Sequence, residues 1–538
     1  MAEPQKQNFL HGATILTAGV VIIKILGAIY KIPLQNILGD TGFGYFNAAY
    51  IIYNVLLTIA TAGLPVALSR MISETNTLGK ANQAKRIYRV ALVTLTALGA
   101  IGSALMFFFP TEMAILFVSK PEISQCVYAL SPSVLLVCIT SAYRGYIQGY
   151  GDMKPTTVGQ VFEVLIKVIV GLALAILLTR SGKSLPISSA GAIFGVTAGS
   201  LAALLYMVFC YMRRYKVTAL KGDDKPNSVG STLADFLKIG VVITVGASVM
   251  SVITLIDTKL IQIQLPKVEG IGPVLADELY GSYSAMQTLY NLPAAFITPM
   301  TIAVVPAISA AVARHEHQEA CTIAESSLRI SSVLAMPMGV GLAVLSYPIV
   351  HVLYPNTNEN GPLILVYLAV ASIFVCIALV TNAILQAGGN ERIPILSMII
   401  GGIVKICANL LLVGRPSINI FGAPIGTVFC YAVICLINCF FISKKQRVKP
   451  NYAKVFLPAL GSSVVMGGAA WAVYGLLSRV LHAQQAASRM PTILAMGVAI
   501  VIAVVLYLVL ILITRAVTAE DLKLIPGGKK LIRLLHVR

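Results

Sequence analysis

Six ionisable side chains stand where the surrounding sequence is otherwise apolar: Lys24, Glu163, Lys167, Asp257, Lys259 and Lys405. A charge at membrane depth costs roughly 3 kcal/mol on insertion scales, so each should face protein or a watery path rather than lipid. Four of the six are lysines. A cavity of ammonium groups attracts an anion, and a reduced dielectric strengthens that attraction. A carrier of organic cations needs the reverse. Glu163 precedes Lys167 by four residues, the spacing that stacks acid and base on one helical face, and this predicts an internal pair. Lys405 has Gly401 four residues before it, and Asp257 has Lys259 only two residues on, pointing to a different face. Both therefore need partners from other helices. Lys259 also has the simpler reading of snorkelling toward the outer interface. Lys24 lies near the middle of the run Ala13–Pro33, either paired structurally or lining a path for something negative.

The elements that hold these charges are membrane helices. The chain has 538 residues, of which 57% are hydrophobic and 11% charged, with a mean hydropathy of +0.85; soluble domains carry roughly 25% charged residues. Apolar runs of about twenty residues exclude a β-barrel, whose segments are shorter and alternate. Breaks at charged or Gly/Pro-rich turns give about fourteen spans, from 11–33 and 44–70 at the start to 453–478 and 490–514 at the end. The first of these is expected to stay in place as a span rather than to be cleaved. The fold class is thus an all-α polytopic membrane protein. Of 40 lysines and arginines, about 28 fall on the side holding both termini, about 8 on the other and about 4 within the membrane. That bias places both termini in the cytoplasm. The net charge of +19 then reads as a positive-inside flank, including the tail Lys529–Arg538, touching anionic lipid and not nucleic acid. Nine cysteines lie mostly inside apolar runs without paired spacing, as small buried hydrophobes. No GxxxxGK[ST] phosphate loop occurs. Neither a cofactor, a metal nor a catalytic constellation is expected.

The chain repeats itself. Lys167 and Lys405 are 238 residues apart, as are Gln148 and Gln386, and Tyr53-Asn54 matches Tyr290-Asn291 at 237. Six spans per repeat is even, so both copies enter from the same side, with a substrate path between them. The expected division is a six-helix repeat over 1–220, a second over 221–450, and helices 13 and 14 with the basic tail over 451–538. Small residues four apart, Gly191 with Gly195 and Gly422 with Gly426, predict close helix packing.

The stretch Gly63-Leu-Pro-Val-Ala-Leu-Ser-Arg70 with Glu74, the stretch Arg144-Gly-Tyr-Ile-Gln-Gly-Tyr-Gly-Asp-Met-Lys-Pro-Thr156, and Ile384-Leu-Gln-Ala-Gly-Gly-Asn390 resemble the stage V sporulation protein B type of polysaccharide transporter. That type belongs to the multidrug/oligosaccharidyl-lipid/polysaccharide exporter superfamily, with the lipid II flippases. The resemblance covers essentially the whole chain. It implies a flippase of the bacterial cytoplasmic membrane that moves a polyprenyl-diphosphate-linked glycan, such as lipid II, by alternating access. It also implies that Lys24, and Lys31 by a one-residue displacement, meet the diphosphate, with Asn54 and Arg70 as further substrate-binding candidates. The paired arginines that some flippases carry in span 2 would fall near Leu57–Thr58 and are absent here. Expected partners are the lipid-linked oligosaccharide and the bilayer, with cell-wall synthesis enzymes as candidates, and the expected state is a monomer.

Two rival functions remain open at this stage. A cation-coupled multidrug exporter of the same superfamily needs acids in both halves, whereas span 10 offers the neutral Thr381, Asn382 and Gln386. A membrane glycosyltransferase needs acids or a metal on an outer loop, and Glu269, Asp277 and Glu278 are the candidates. For Asp257 the expectation is a pairing with Lys405 within one six-helix half, as a built-in counter-ion; the alternative pairs it with Lys24 across the cavity.

Overall fold

In the computed structural model, which describes residues 3–215, 224–445, 450–481, 489–514 and 516–517, the first long helix doubles back on itself. Helix α1 (Glu3–Thr61) is interrupted at Gly39, whose φ of 68° and ψ of 178° are not helical. A positive φ is cheap only for glycine. The ring of Tyr30 lies 6.0 Å from that of Phe46; along a straight helix, sixteen residues would separate them by about 24 Å. The two limbs therefore run side by side. Across the bend the buried Gln35 amide donates to Asp40 Oδ1 at 2.7 Å. Among the described residues, thirteen helices are long and apolar enough to cross a membrane. Because the first crosses twice, the described residues hold the fourteen crossings expected from the sequence. Among them there is no strand. The tail Lys529–Arg538 lies outside the described residues.

The chain divides into two compact units, Met1–Pro266 with Pro273–Gly281, and Lys267–Gly272 with Ser282–Arg538. In the first, α1 is followed by α2 (Leu64–Thr77), α3 (Ala81–Phe108), the short α4 (Pro110–Val118), α5 (Ser124–Gly149), α6 (Lys154–Arg180), α7 (Leu185–Cys210) and α8 (Val229–Gln264). Helix α7 lies flush on α6 because its small residues face the contact. A Cβ on Gly195 would come within 2.6 Å of the Lys167 carbonyl oxygen and 2.7 Å of Gly171 Cα. In a membrane such close backbone approach supplies the packing energy that burial from water supplies elsewhere. At the end expected to face the cytoplasm, Tyr88 of α3 sits 4.5 Å from Tyr146 of α5 and 5.3 Å from Tyr211, just beyond α7.

Packing and repeat are cut at different places. Helix α8, the seventh expected span, packs on α1, α2 and α3 inside the first unit rather than with the second repeat. One reason lies just ahead of it. Asp224 accepts from the backbone N–H groups of Asn82 and Gln83 at 2.9 and 2.8 Å, and its own carbonyl takes the Asn82 amide at 3.0 Å. Asn227 donates its N–H to Gln83 Oε1, and its carbonyl accepts from Arg86. The connector into α8 is thus docked on the N-terminus of α3, filling donors that an α-helix leaves open.

The second unit contains most of α9 (Pro273–Ala313), then α10 (His317–Val344), the short α11 (Ser346–Leu353), α12 (Gly361–Ala387), α13 (Arg392–Leu412), α14 (Gly422–Lys445), α15 (Tyr452–Val480) and α16 (Met490–Ile513). Its order of a long helix, a short one and three long ones from α10 matches that from α3. Helices α5 and α12 also end alike: Gly151 and Gly389 have φ of 80° and 74° and donate to the carbonyls of Gln148 and Gln386. Helices α15 and α16 pack on α10 and α11 within the unit rather than standing apart, and the Tyr507 hydroxyl donates to the Val333 carbonyl at 2.7 Å.

Candidate functional site

The α1 hairpin and α6 bring three lysines into one neighbourhood of the first unit. Lys24 and Lys31 are seven residues apart on the first limb, close to two helical turns and so on one face. Tyr50, on the returning limb, carries the shared platform. Lys31 Nζ lies 5.9 Å from its ring centroid and Lys167 Nζ, from α6, lies 5.6 Å from the same centroid. Lys167 is also 5.9 Å from the ring of Tyr30. That ring is fixed, since Tyr30 is buried and its hydroxyl donates to the Ala192 carbonyl of α7 at 3.0 Å. Lys24 and Lys167 are both near enough to act electrostatically on Lys31. Lys24 is exposed, while Lys31 and Lys167 are half-buried. Each cation–π contact is worth about 0.5–2 kcal/mol, which offsets part of the mutual repulsion of three ammonium groups but cancels none of their charge.

The acid expected to neutralise Lys167 is occupied elsewhere. Glu163 Oε2 accepts from Arg144 Nη2 at 2.7 Å, with side-chain exposures of 23% and 12%. The i,i+4 pairing of Glu163 with Lys167 is thereby corrected. A guanidinium reaching over from α5 offers a planar, weakly hydrated donor to a half-buried carboxylate, and an ammonium on the same helix does not match that. The result is a positive surplus, with Lys31 and Lys167 above a tyrosine floor and Lys24 near Lys31.

The other candidates have separate settings. Asn54 is half-buried one turn beyond Tyr50, and its carbonyl accepts from Thr58, whose hydroxyl also meets Ser251 of α8 at 3.1 Å. Arg70 stands on the exposed face of α2 in a pair with Glu74 at 3.0 Å. Asp257 and Lys405 are both buried and both engaged. Asp257 belongs to the first unit and Lys405 to the second, where Lys405 acts on Tyr431. The expected pairing placed both charges in one six-helix half, whereas α8 is seated on α1–α3 in the first unit. Lys259 reaches the carbonyl of Leu116 at 2.6 Å, at the C-terminus of α4, where a cation is favoured. Asp277, an acid that an enzyme reading would require, is tied to Lys120 and accepts from the Tyr45 hydroxyl at 3.2 Å.

Residue types alone did not single out Tyr30, Tyr50 or Arg144. The signal for the tyrosines was the turn sequence Gly39-Asp40-Thr41-Gly42, which folds Tyr50 back beside Tyr30 and Lys31. For Arg144 it was a charge near the end of a helix joined to Glu163 by a short turn.

Residues 9–312 match the polysaccharide biosynthesis protein family. Stage V sporulation protein B of Bacillus subtilis is 26% identical over 471 residues, covering 86% of this chain and 88% of that protein. Lipid II flippase MurJ of the same organism is 24% identical over 513 residues, covering 92% of this chain and 93% of that protein. The structure of a lipid II flippase MurJ in its inward closed conformation superposes with a TM-score of 0.66 at 16% identity, covering 92% of this chain and 98% of that one. The fold is the same.

Proposed function

Because this chain belongs to the polysaccharide biosynthesis protein family, we propose that it is a flippase carrying a polyprenyl-diphosphate-linked glycan, of the lipid II kind, across the cytoplasmic membrane. The observation that carries this reading is the surplus of Lys31 and Lys167 over the Tyr30–Tyr50 floor, with Lys24 near Lys31 and Glu163 spent on Arg144. A diphosphate brings two or more negative charges that this surplus can meet without a bound metal. Tyrosine faces beneath the ammonium groups hold them in place by their ring quadrupoles and add no counter-charge. A carrier of cations would be opposed by the same arrangement. An inside-negative potential favours outward movement of the anionic headgroup by roughly 2.3 kcal/mol per charge per 100 mV. The polyprenyl tail stays in lipid as the headgroup passes, and the two states alternate as far as the substrate's differential affinity biases them. Transport, not bond-making, is the role assigned. Asp277 is held in an ion pair with Lys120 and accepts from the Tyr45 hydroxyl, which gives it a structural role.

The test is reconstitution into vesicles with a labelled lipid-linked precursor, scoring its change of leaflet. Lys24→Ala should abolish flipping while the folded protein stays in the membrane, and Lys24→Arg should largely retain it. Full transport by Lys24→Ala would remove the lysine from the path, and transport of an organic cation in place of the precursor would favour the drug-exporter reading.

A further inference from the structure

A pocket of about 400 Å³ opens between the first turn of α6 and the last turn of α7, far from the lysine cluster. Lys154 and Lys167 are thirteen residues apart on one helix, about 20 Å of rise. The pocket has two unlike parts. Val158, Tyr206 and Phe209 form an apolar floor, and Lys154 and Arg213 stand beside it, both exposed. Arg213 belongs to the π-helical turn Tyr211–Tyr215 that follows α7, and its guanidinium lies 5.8 Å from the centroid of the Phe209 ring. Held beside that ring by cation–π attraction, the planar group can turn its N–H fork to an oxyanion. The neighbouring acid, Asp152, accepts the backbone N–H of Lys154 at 3.1 Å. The charge bias of the loops puts this end of the helices at the cytoplasmic surface, where anionic lipid is concentrated.

We propose that this pocket holds an anionic glycerophospholipid of the inner leaflet, its phosphate on Lys154 and Arg213 and one acyl chain on Val158, Tyr206 and Phe209. Charge complementarity selects the headgroup. The apolar floor selects a chain-bearing ligand over a free phosphate. A lipid-linked glycan is disfavoured as occupant, because apart from the two cations the lining offers few groups to hydrogen-bond sugar hydroxyls. The lipid would fasten the ends of α6 and α7 together beneath the lysine cluster.

The test uses the purified full chain in neutral detergent, titrated with phosphatidylglycerol or phosphatidylcholine, with bound lipid counted by native mass spectrometry. The double change Lys154→Gln with Arg213→Gln should weaken phosphatidylglycerol binding roughly thirtyfold, as expected for two interfacial cations. Lys154→Arg alone, which keeps both charges and the Arg213 fork, should retain it. Val158→Trp, which fills the floor and keeps both cations, should also lose the lipid, so the assignment does not hang on one variant's folding. Wild-type retention by the double glutamine variant, or equal retention of phosphatidylcholine, would overturn it. Competition by glycerol 3-phosphate at the lipid's own concentration would reduce the site to an anion site and overturn the lipid assignment.

Discussion

Arg144 and Glu163 decide the sign of the candidate site, although neither belongs to it. Their contact at 2.7 Å leaves Lys167 facing two tyrosine rings. Removing one partner of a largely buried pair strands the other charge, at a cost of about 3 kcal/mol or more. Arg144→Met should therefore lower the unfolding temperature in detergent, and adding Glu163→Gln should recover most of the loss. If Glu163 instead turned to Lys167 once Arg144 was gone, stability would hold and transport would fall, a distinction that the two assays together resolve. The interior charges were legible in the sequence because a lysine in an apolar run has no neutral explanation. Their partners were not. Spacing along one helix points to Lys167, and only packing reveals that α5 holds a better donor.

At the scale of elements, the connector into α8 shows how one side chain steers a helix. Desolvation pushes the Asp224 carboxyl up, but hydrogen bonds from the backbone N–H groups of Asn82 and Gln83, aided by Lys80, outweigh it and hold the group below its ordinary value. A lowered value means that the ionised form stabilises the dock. That contribution is fully present above the ordinary aspartate value of 3.8 and disappears as pH falls through the lower folded value. Asp224→Asn should expose the amides of Asn82 and Gln83 to faster hydrogen exchange at neutral pH, and wild type should show the same exposure only in strong acid. Equal protection in the variant would mean that Asn227 and Arg86 suffice. Helix positions and the α1 turn were readable from apolar runs and from Gly39-Asp40. The allegiance of α8 was not, because a repeat of 238 residues reports ancestry of sequence and carries no information about which neighbours a helix touches.

For the whole molecule, the charge count makes a claim about sidedness that chemistry can check. Single-cysteine variants at Gln318 and Ser181, both exposed and assigned to opposite sides of the membrane by the charge count, should differ. In intact cells, with the nine native cysteines replaced, a membrane-impermeant thiol reagent should label Ser181→Cys and leave Gln318→Cys unlabelled until the membrane is opened. Labelling of both from outside would invert the orientation on which the flow of substrate rests.

The bend at Gly39 also bears on how the chain is made. Its first limb enters the translocon carrying Lys24 and Lys31, each a penalty of roughly 3 kcal/mol near the centre of a lone helix. The ring of Tyr50, which meets Lys31, is still nineteen residues from emerging at that moment. Lys167 and its helix come later still. The limb is thus a poor stop on its own and enters as a pair with the segment that follows. Insertion reporters fused after residue 38 and after residue 61 should separate these cases. The longer fusion should integrate with both ends on the cytoplasmic side, and the shorter should slip across or remain outside; equal integration would mean that the first limb needs no help from its return.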